Sequence, residues 1–336
     1  MSMDAAPASG TAHSNGLPGR QLLDDLRTQL PMAAMSATGT LAMRLRDLTG
    51  REVIDLESLQ EVLSLVYRVS EMRSAHRAGR YTIDEFGFDP EFTEALLPIF
   101  HLISRKYWRV ETFGAEVLPA GGGALLVSNH AGVLPWDGAM IKVAVFDAVE
   151  RHARALVASW FGNLPTLSWL LRRTGQTNGH PDDSLRLLRK GELVLVFPEG
   201  VRGTGKPFSE RYKLRRFGRG GFVEVALRAG VPIIPVSVVG AEEIHPMLAD
   251  LQPVARMLRL PYFPITPTWP LLGPLGLLPL PSRWRIRFHP MVRTDELDPE
   301  IAGDPAGVMR ISDQVRGVIQ DGLTLDLAER GGVFRA

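Results

Sequence analysis

Cysteine is absent from all 336 residues, which removes disulfides, thiolate metal sites and a cysteine nucleophile in one step. The absence fits a reducing, cytoplasmic setting. Lysine is scarce: five of the 38 basic residues are lysines, Lys106, Lys142, Lys190, Lys206 and Lys213, so arginine carries most of the positive charge. An excess of either sign is missing, since 37 acidic residues leave a net charge of +1 and no global attraction for nucleic acid. No apolar run can span a bilayer as one straight helix. The longest stretch without a formal charge, 260–282, has the length but holds seven prolines. The first twenty residues lack the apolar core of a secretory signal and read as a disordered tail.

What is present is globular in composition, 45% apolar and 22% charged, with length for about two domains or one α/β domain with extensions. Val53, Leu56, Leu59, Leu63, Val66 and Val69 recur at three- and four-residue spacing and predict a helix over 52–78 that stops at Gly79. A second helix is predicted over 90–110. Its wide apolar set, which includes Phe92, Leu96, Phe100 and Tyr107, can face a core on one side and a bilayer surface on the other. From residue 117 short apolar runs at 124–128, 155–158, 193–197, 233–238 and 285–288 alternate with helical stretches, the pattern of an α/β domain. The helices fall near 182–191, from Gly220 through Leu227 to a stop at Gly230, and at 305–322, ending at glycine as helices do when the chain turns left-handed.

Two strand ends carry chemistry. The run at 124–128 delivers the chain into Asn129, His130, a glycine-containing loop, and Pro135 ahead of Asp137. Ligands bind at the carboxyl edge of such sheets, and a carboxylate folded back onto one imidazole nitrogen leaves the other free as a general base. The run at 193–197 leads into Phe197-Pro198-Glu199-Gly200-Val201-Arg202. Beyond it, residues 201–219 hold Arg202, Lys206, Arg211, Lys213, Arg215, Arg216 and Arg219 against Glu210 alone, a local charge of +6 that suits a phosphorylated ligand or an anionic lipid face.

The same loop contains Gly200-Val201-Arg202-Gly203-Thr204-Gly205-Lys206, the first seven positions of a phosphate-binding P-loop. Pro207 stands where the magnesium-binding hydroxyl belongs, which excludes that reading. Val231-Pro232-Ile233-Ile234-Pro235-Val236 is an apolar strand entered through proline, suited to an edge or a cleft wall.

Taken in order, Asn129-His130 with Asp137, Phe197 to Arg202, and Val231 to Val236 resemble the motifs of the glycerolipid acyltransferase superfamily, to which the lysophospholipid acyltransferases belong. The resemblance covers about residues 105–295. Two departures stand out: the first motif is His-x6-Asp where the family has His-x4-Asp, and a Gly-x-x-x-x-Arg motif is indistinct, with Gly175 and Arg186 the nearest residues. The longer loop is most similar to the monoacylglycerol and diacylglycerol acyltransferase-like branch, which often esterifies neutral alcohols.

The resemblance implies a single α/β acyltransferase domain with a central mixed, largely parallel sheet flanked by helices. It divides the chain into a tail (1–20), a helical N-terminal extension (21–104), the α/β domain (105–295) and a C-terminal helix and tail (296–336). It implies transfer of a fatty acyl group from acyl-CoA or acyl carrier protein to a hydroxyl of a glycerolipid or other lipid alcohol. His130 would be the general base and Asp137 its partner, while Asn129, Glu199, Gly200, Arg202 and Pro232 would bind substrate. Lys206, Lys213, Arg215 and Arg216 are expected to contact the carrier's phosphates. No cofactor or metal is expected; the partners are the thioester donor, the lipid acceptor and a membrane surface with which a cytoplasmic protein associates peripherally. The alternative is a catalytically weak or inactive lipid-binding or scaffolding protein on the same fold.

Overall fold

Runs that are apolar at every position, Leu193–Val196 among them, need cover on both faces of a sheet. A computed structural model provides that cover and describes residues 56–157, 165–258 and 260–334. The tail and most of the helical extension expected before residue 56 lie outside the described residues, as does Ala158. The chain divides into two units, 1–71 and 72–336, and helix α1 (Leu56–Arg77) carries it from one to the other.

Among the described residues of the second unit nine strands follow in chain order: β1 (Glu111–Phe113), β2 (Ala124–Ser128), β3 (Ala153–Val157), β4 (Thr177–Asn178), β5 (Leu193–Val196), β6 (Ile233–Val239), β7 (Ala249–Asp250), β8 (Pro264–Ile265) and β9 (Arg285–Phe288). Seven form one sheet in the order β1-β9-β6-β2-β5-β3-β4, while β7 and β8 pair separately. Within the large sheet only the β6–β9 ladder is antiparallel among the described residues, so the sheet is mixed and largely parallel as expected. The helices are α2 (Pro90–Leu102), α3 (Trp136–Val149), α4 (Pro165–Arg173), α5 (Pro181–Arg189), α6 (Val201–Thr204), α7 (Gly221–Ala229), α8 (Gln252–Met257) and α9 (Pro305–Glu329).

Side-chain alternation along the strands sorts the core into two layers. Leu126, Leu193, Leu195, Ile234 and Val236 pack with Leu97 of α2 and with Met140 and Ile141 of α3. Their neighbours Leu125, Val127, Val194 and Ile233 pack with Leu187 of α5, Leu227 of α7 and Val315 and Ile319 of α9. Both α2 and α9 therefore lie on the sheet, so the expected boundaries at 104 and 296 do not separate layers of this core.

Local differences from the sequence reading have physical causes. The strand expected over 155–158 starts at Ala153, because Arg154 is accommodated in the interior: its guanidinium lies 2.7 Å from Asp84 and 4.4 Å from the centre of the Phe88 ring. The helix expected over 90–110 is α-helical to Leu102 and widens into a π-turn over Ile103–Tyr107. The last helix passes through Gly322 and continues to Glu329. Gly322 is a close-packing position there, since a β-carbon would stand 2.4 Å from the His289 ring.

Trp108, which closes the π-turn, has no exposed surface. Its ring stacks on Trp284 at 4.7 Å and meets Trp136, the first residue of α3, edge-on at 5.3 Å. It thus ties α2, the start of β9 and the entrance of α3 together. Trp108→Ala should lower stability by about 3–5 kcal/mol, seen in urea as a lower midpoint with an unchanged m-value.

Candidate active site

The parallel strands β2 and β5 end on the same edge of the sheet, and the two sequence motifs are brought together there. At the end of β2 the fully buried Asn129 side chain clamps the neighbouring strand. Its Nδ2 donates to the Val238 carbonyl at 3.0 Å and its Oδ1 accepts from the Val238 amide at 2.8 Å. Asn129 was expected to touch substrate; with both ends of the amide engaged by β6, it instead fixes where the chain leaves the sheet.

His130 follows on the rim. Its Nδ1 lies 2.8 Å from Asp137 Oδ2, so the two-residue excess in the His-x6-Asp loop does not prevent the pair from forming. Asp137 is fully buried on the first turn of α3, where a carboxylate is favoured, and it also accepts the Ala131 and Gly138 amides at 2.8 Å each. The intervening residues fold as a tight turn, with the Trp136 amide donating to the Leu134 carbonyl at 2.8 Å. A carboxylate on Nδ1 sets the tautomer with the proton on that nitrogen and leaves Nε2 as the basic one. The imidazole stacks on Phe197 of the second motif at 4.2 Å and 23°.

The backbone of His130 is held from the opposite side. Glu199 is buried: its Oε1 accepts the His130 amide at 3.1 Å and its Oε2 accepts the Arg215 amide at 2.7 Å. Gly203 of α6 lies so near that a β-carbon would stand 2.9 Å from both His130 Cβ and Glu199 Cβ. Glu199 was expected to bind substrate directly, but its two oxygens hold the loops that form the site. Gly200 turns the chain at φ 56°, and the position where a side chain would project is open.

Lys206, the P-loop-like lysine, is corrected from carrier-phosphate contact to interior cation. Its ammonium is buried 3.0 Å from Glu242 and 3.6 Å from Glu199, out of reach of a ligand in the cleft. Glu242 also accepts the Tyr212 amide at 3.0 Å; burial pushes its carboxyl above the ordinary value of 4.5, and Lys206 acts in the opposite direction. The sequence reading passed over Glu242, although it stands just beyond β6 at the edge that carries His130 and Glu199.

The remaining cations sort by position. Arg202, Arg216 and Arg219 line a cleft of about 550 Å³ with Pro198, Glu199, Val201 and Gly218, and among the described residues none of the three has an ion-pair partner. Arg219 was counted in the basic run but not singled out. Arg215 turns its guanidinium to Glu210, and Lys213 is exposed outside the cleft lining. Pro232 is displaced from the site altogether: it precedes β6 at the level of Ala124, roughly 20 Å of strand from His130. Gly175 packs against Phe88, and Arg186 pairs with Glu85. Among the described residues no cluster of three acidic or histidine side chains could hold a metal.

The family model described as Acyltransferase matches residues 109–239, which span both motifs. An uncharacterized protein of Mycobacterium leprae is 44% identical over 320 residues, covering 93% of this chain and 87% of that one. A protein of Mycobacterium tuberculosis strain H37Rv, likewise described as uncharacterized, is 47% identical over 277 residues, 82% of this chain and 77% of its own. The human DGAT1/2-independent enzyme synthesizing storage lipids is 32% identical over 126 residues, 38% of either chain. Among solved structures, the 1-acyl-sn-glycerophosphate acyltransferase PlsC of Thermotoga maritima is similar at a TM-score of 0.46 and 17% identity, covering 80% of this chain and 98% of that one.

Removing the buried ammonium leaves two interior carboxylates facing each other. Lys206→Met should cost about 3–5 kcal/mol at neutral pH. The loss should shrink on acidification. Without Lys206 the native Glu242 carboxyl takes its proton above the unfolded value, so between those two points the native state binds more protons and stability rises as pH falls. Urea titrations of wild type and variant from pH 7 to pH 5 check both sign and size.

Proposed function

Because the chain belongs to the glycerolipid acyltransferase superfamily, we propose that it moves a fatty acyl group from a thioester donor, acyl-CoA or acyl carrier protein, to a hydroxyl of a glycerolipid, with His130 as general base. The observation that carries the reading is the 2.8 Å contact between His130 Nδ1 and the buried Asp137 carboxylate beside an arginine-lined cleft. An alcohol near neutral pH is a poor nucleophile. As its oxygen attacks the thioester carbonyl carbon, its proton passes to Nε2 of His130; the tetrahedral intermediate then collapses, the carbon–sulfur bond breaks, and the thiolate leaves to be protonated. No acyl-enzyme is needed, which agrees with a chain that has no cysteine and no Gly-x-Ser-x-Gly elbow.

Asp137 is the positioning residue that holds the tautomer. Asn129 and Glu199 act on His130 through its backbone, from β6 and from the basic loop. Arg202, Arg216 and Arg219 are the anion-binding residues. Guanidinium forks favour phosphate, and the cleft has room for a phosphorylated headgroup. This supports an anionic acceptor over a neutral alcohol. The cleft touches the catalytic loop through Glu199, which lines one and holds the backbone of the other.

His130→Ala should lower kcat/KM for acyl transfer by about 10²- to 10⁴-fold. Asp137→Asn should lower kcat with little change in KM. Thiol release from acyl-CoA and from acyl carrier protein, each with phosphorylated and neutral acceptors, checks these values; equal rates for wild type and His130→Ala with every pair would overturn the assignment. Arg216→Ala/Arg219→Ala should raise KM for the phosphorylated acceptor and leave donor KM unchanged, whereas a selective rise in donor KM would assign the cleft to the carrier.

A further inference from the structure

Residues 247–282 leave the sheet after β6 and return to it at β9, and none of the described residues among them enters either core layer. They carry nine of the nineteen exposed large apolar side chains among the described residues, a concentration that scattered surface leucines do not show. The most exposed are Leu271 at 84% and Met257 at 74%, joined by Leu258, Leu272, Leu275 and Leu278. We infer that this excursion is a lipid-docking surface, which inserts into the headgroup and acyl boundary of a bilayer and brings the His130 site to its substrate. The inference rests on the reading that the acceptor is a glycerolipid.

The apolar side chains are displayed by an ordered support. Leu248 and Leu251 donate backbone bonds to Ile265 and Phe263 across the β7–β8 pair. The far arm is fastened to the body: His245 Nε2 bonds the Leu277 carbonyl at 2.9 Å, Trp108 Nε1 donates to the Leu280 carbonyl at 3.1 Å, and the Leu280 amide donates to Ile244. Burial holds His245 below the ordinary histidine range, and because a carbonyl can only accept, its Nε2–H is the donor in that bond. The excursion also reaches the site: Tyr262 donates its hydroxyl proton to the Val133 carbonyl of the His-x6-Asp loop at 2.8 Å, and the Phe208 amide of the basic loop donates to Met247.

A bilayer fits this surface better than a protein partner does. Residues 260–282 hold no charged side chain with which to form the polar rim of a protein interface. The loop fastened to the excursion at Met247, 201–219, carries six exposed basic residues besides the buried Lys206, against Glu210. Apolar tips beside a cationic segment match the layering of acyl chains under anionic headgroups. No helix among the described residues is long and apolar enough to cross a membrane, so the contact is interfacial.

The lack of cysteine makes a direct test simple. Leu271→Cys carries one fluorophore sensitive to polarity, and Arg310→Cys on the exposed face of α9 is the control. With phosphatidylcholine vesicles, with and without phosphatidylglycerol, the label at 271 should shift to the blue and that at 310 should not; flotation of the full chain should be stronger on the anionic vesicles. Leu271→Glu/Leu275→Glu, at exposed positions that leave the fold intact, should reduce flotation by about tenfold or more. An unshifted label at 271, or flotation of the double variant equal to wild type, overturns the proposal. Self-association of wild type that the double variant abolishes, without vesicle binding, assigns the surface to a second copy and overturns it too. His130→Ala should float as wild type does, and the double variant should still turn over a water-soluble short-chain thioester. A chain that floats without turnover refutes the catalytic reading alone, and one with soluble turnover and no flotation refutes the surface alone.

Discussion

One buried carboxylate, Glu199, joins the parts of this site. Its oxygens accept the amides of His130 and Arg215, and the Lys206 ammonium lies 3.6 Å away. Taking a carboxylate out of water costs several kcal/mol, and two backbone donors and a buried cation offset that cost only while all three stay in place. The segment after β2 and the basic segment after β5 are therefore fixed to each other. Asn129 supplies the same constraint from β6 with its paired bonds to Val238. The imidazole sits where two loops and a strand intersect, and the proposed proton transfer needs that precision because a general base works only within hydrogen-bond reach of its proton.

The inner strands of the sheet and β9 were legible in the sequence because they are short apolar runs, whereas β1 (Glu111–Phe113) and β4 (Thr177–Asn178) are too short and polar to show; the His130–Asp137 pair was legible because it follows a strand end. What was not legible has specific causes. Arg154 hid the start of β3, since a lone sequence cannot show that Asp84 and the Phe88 ring make an arginine acceptable in the interior. Gly322 imitated a helix stop because the same residue serves a left-handed cap and a close approach, and the His289 ring that decides between them is distant in sequence. Pro232 belongs to a motif that was expected to join His130 at the site, yet β6 runs parallel to β2 and places its first residues at the end of the sheet away from His130.

Counting charges pointed to the loop that lines the arginine cleft but could not sort its residues. Of the seven basic residues in 201–219, Lys206 points inward, Arg215 is occupied by Glu210, and Arg202, Arg216 and Arg219 face the cleft. The division follows side-chain chemistry. A compact ammonium fits between the Glu199 and Glu242 carboxylates, whereas planar guanidinium groups suit multidentate contact with a phosphate at a solvent-facing wall. In a chain with five lysines, the one inside the P-loop-like sequence has become part of the interior, so the motif's lysine and its surroundings serve the scaffold instead of a nucleotide.

The prolines that keep 260–282 from forming a spanning helix bear on what that segment can do instead. Backbone donors and acceptors left unbonded in an apolar medium cost several kcal/mol each, which excludes most irregular chain from a lipid boundary. Seven prolines remove seven amide donors outright. Five of the acceptors are met by side chains from the body and from the segment itself: Thr268 bonds the Gly276 carbonyl, His245 that of Leu277, Tyr107 that of Pro279, Trp108 that of Leu280 and Arg109 that of Pro281. With these carbonyls bonded, the exposed Leu277 and Leu278 stand on a backbone with less demand for water. A loop of this kind goes part of the way, with neither helix nor closed sheet, toward the condition that the proposed lipid contact would set for a polypeptide backbone.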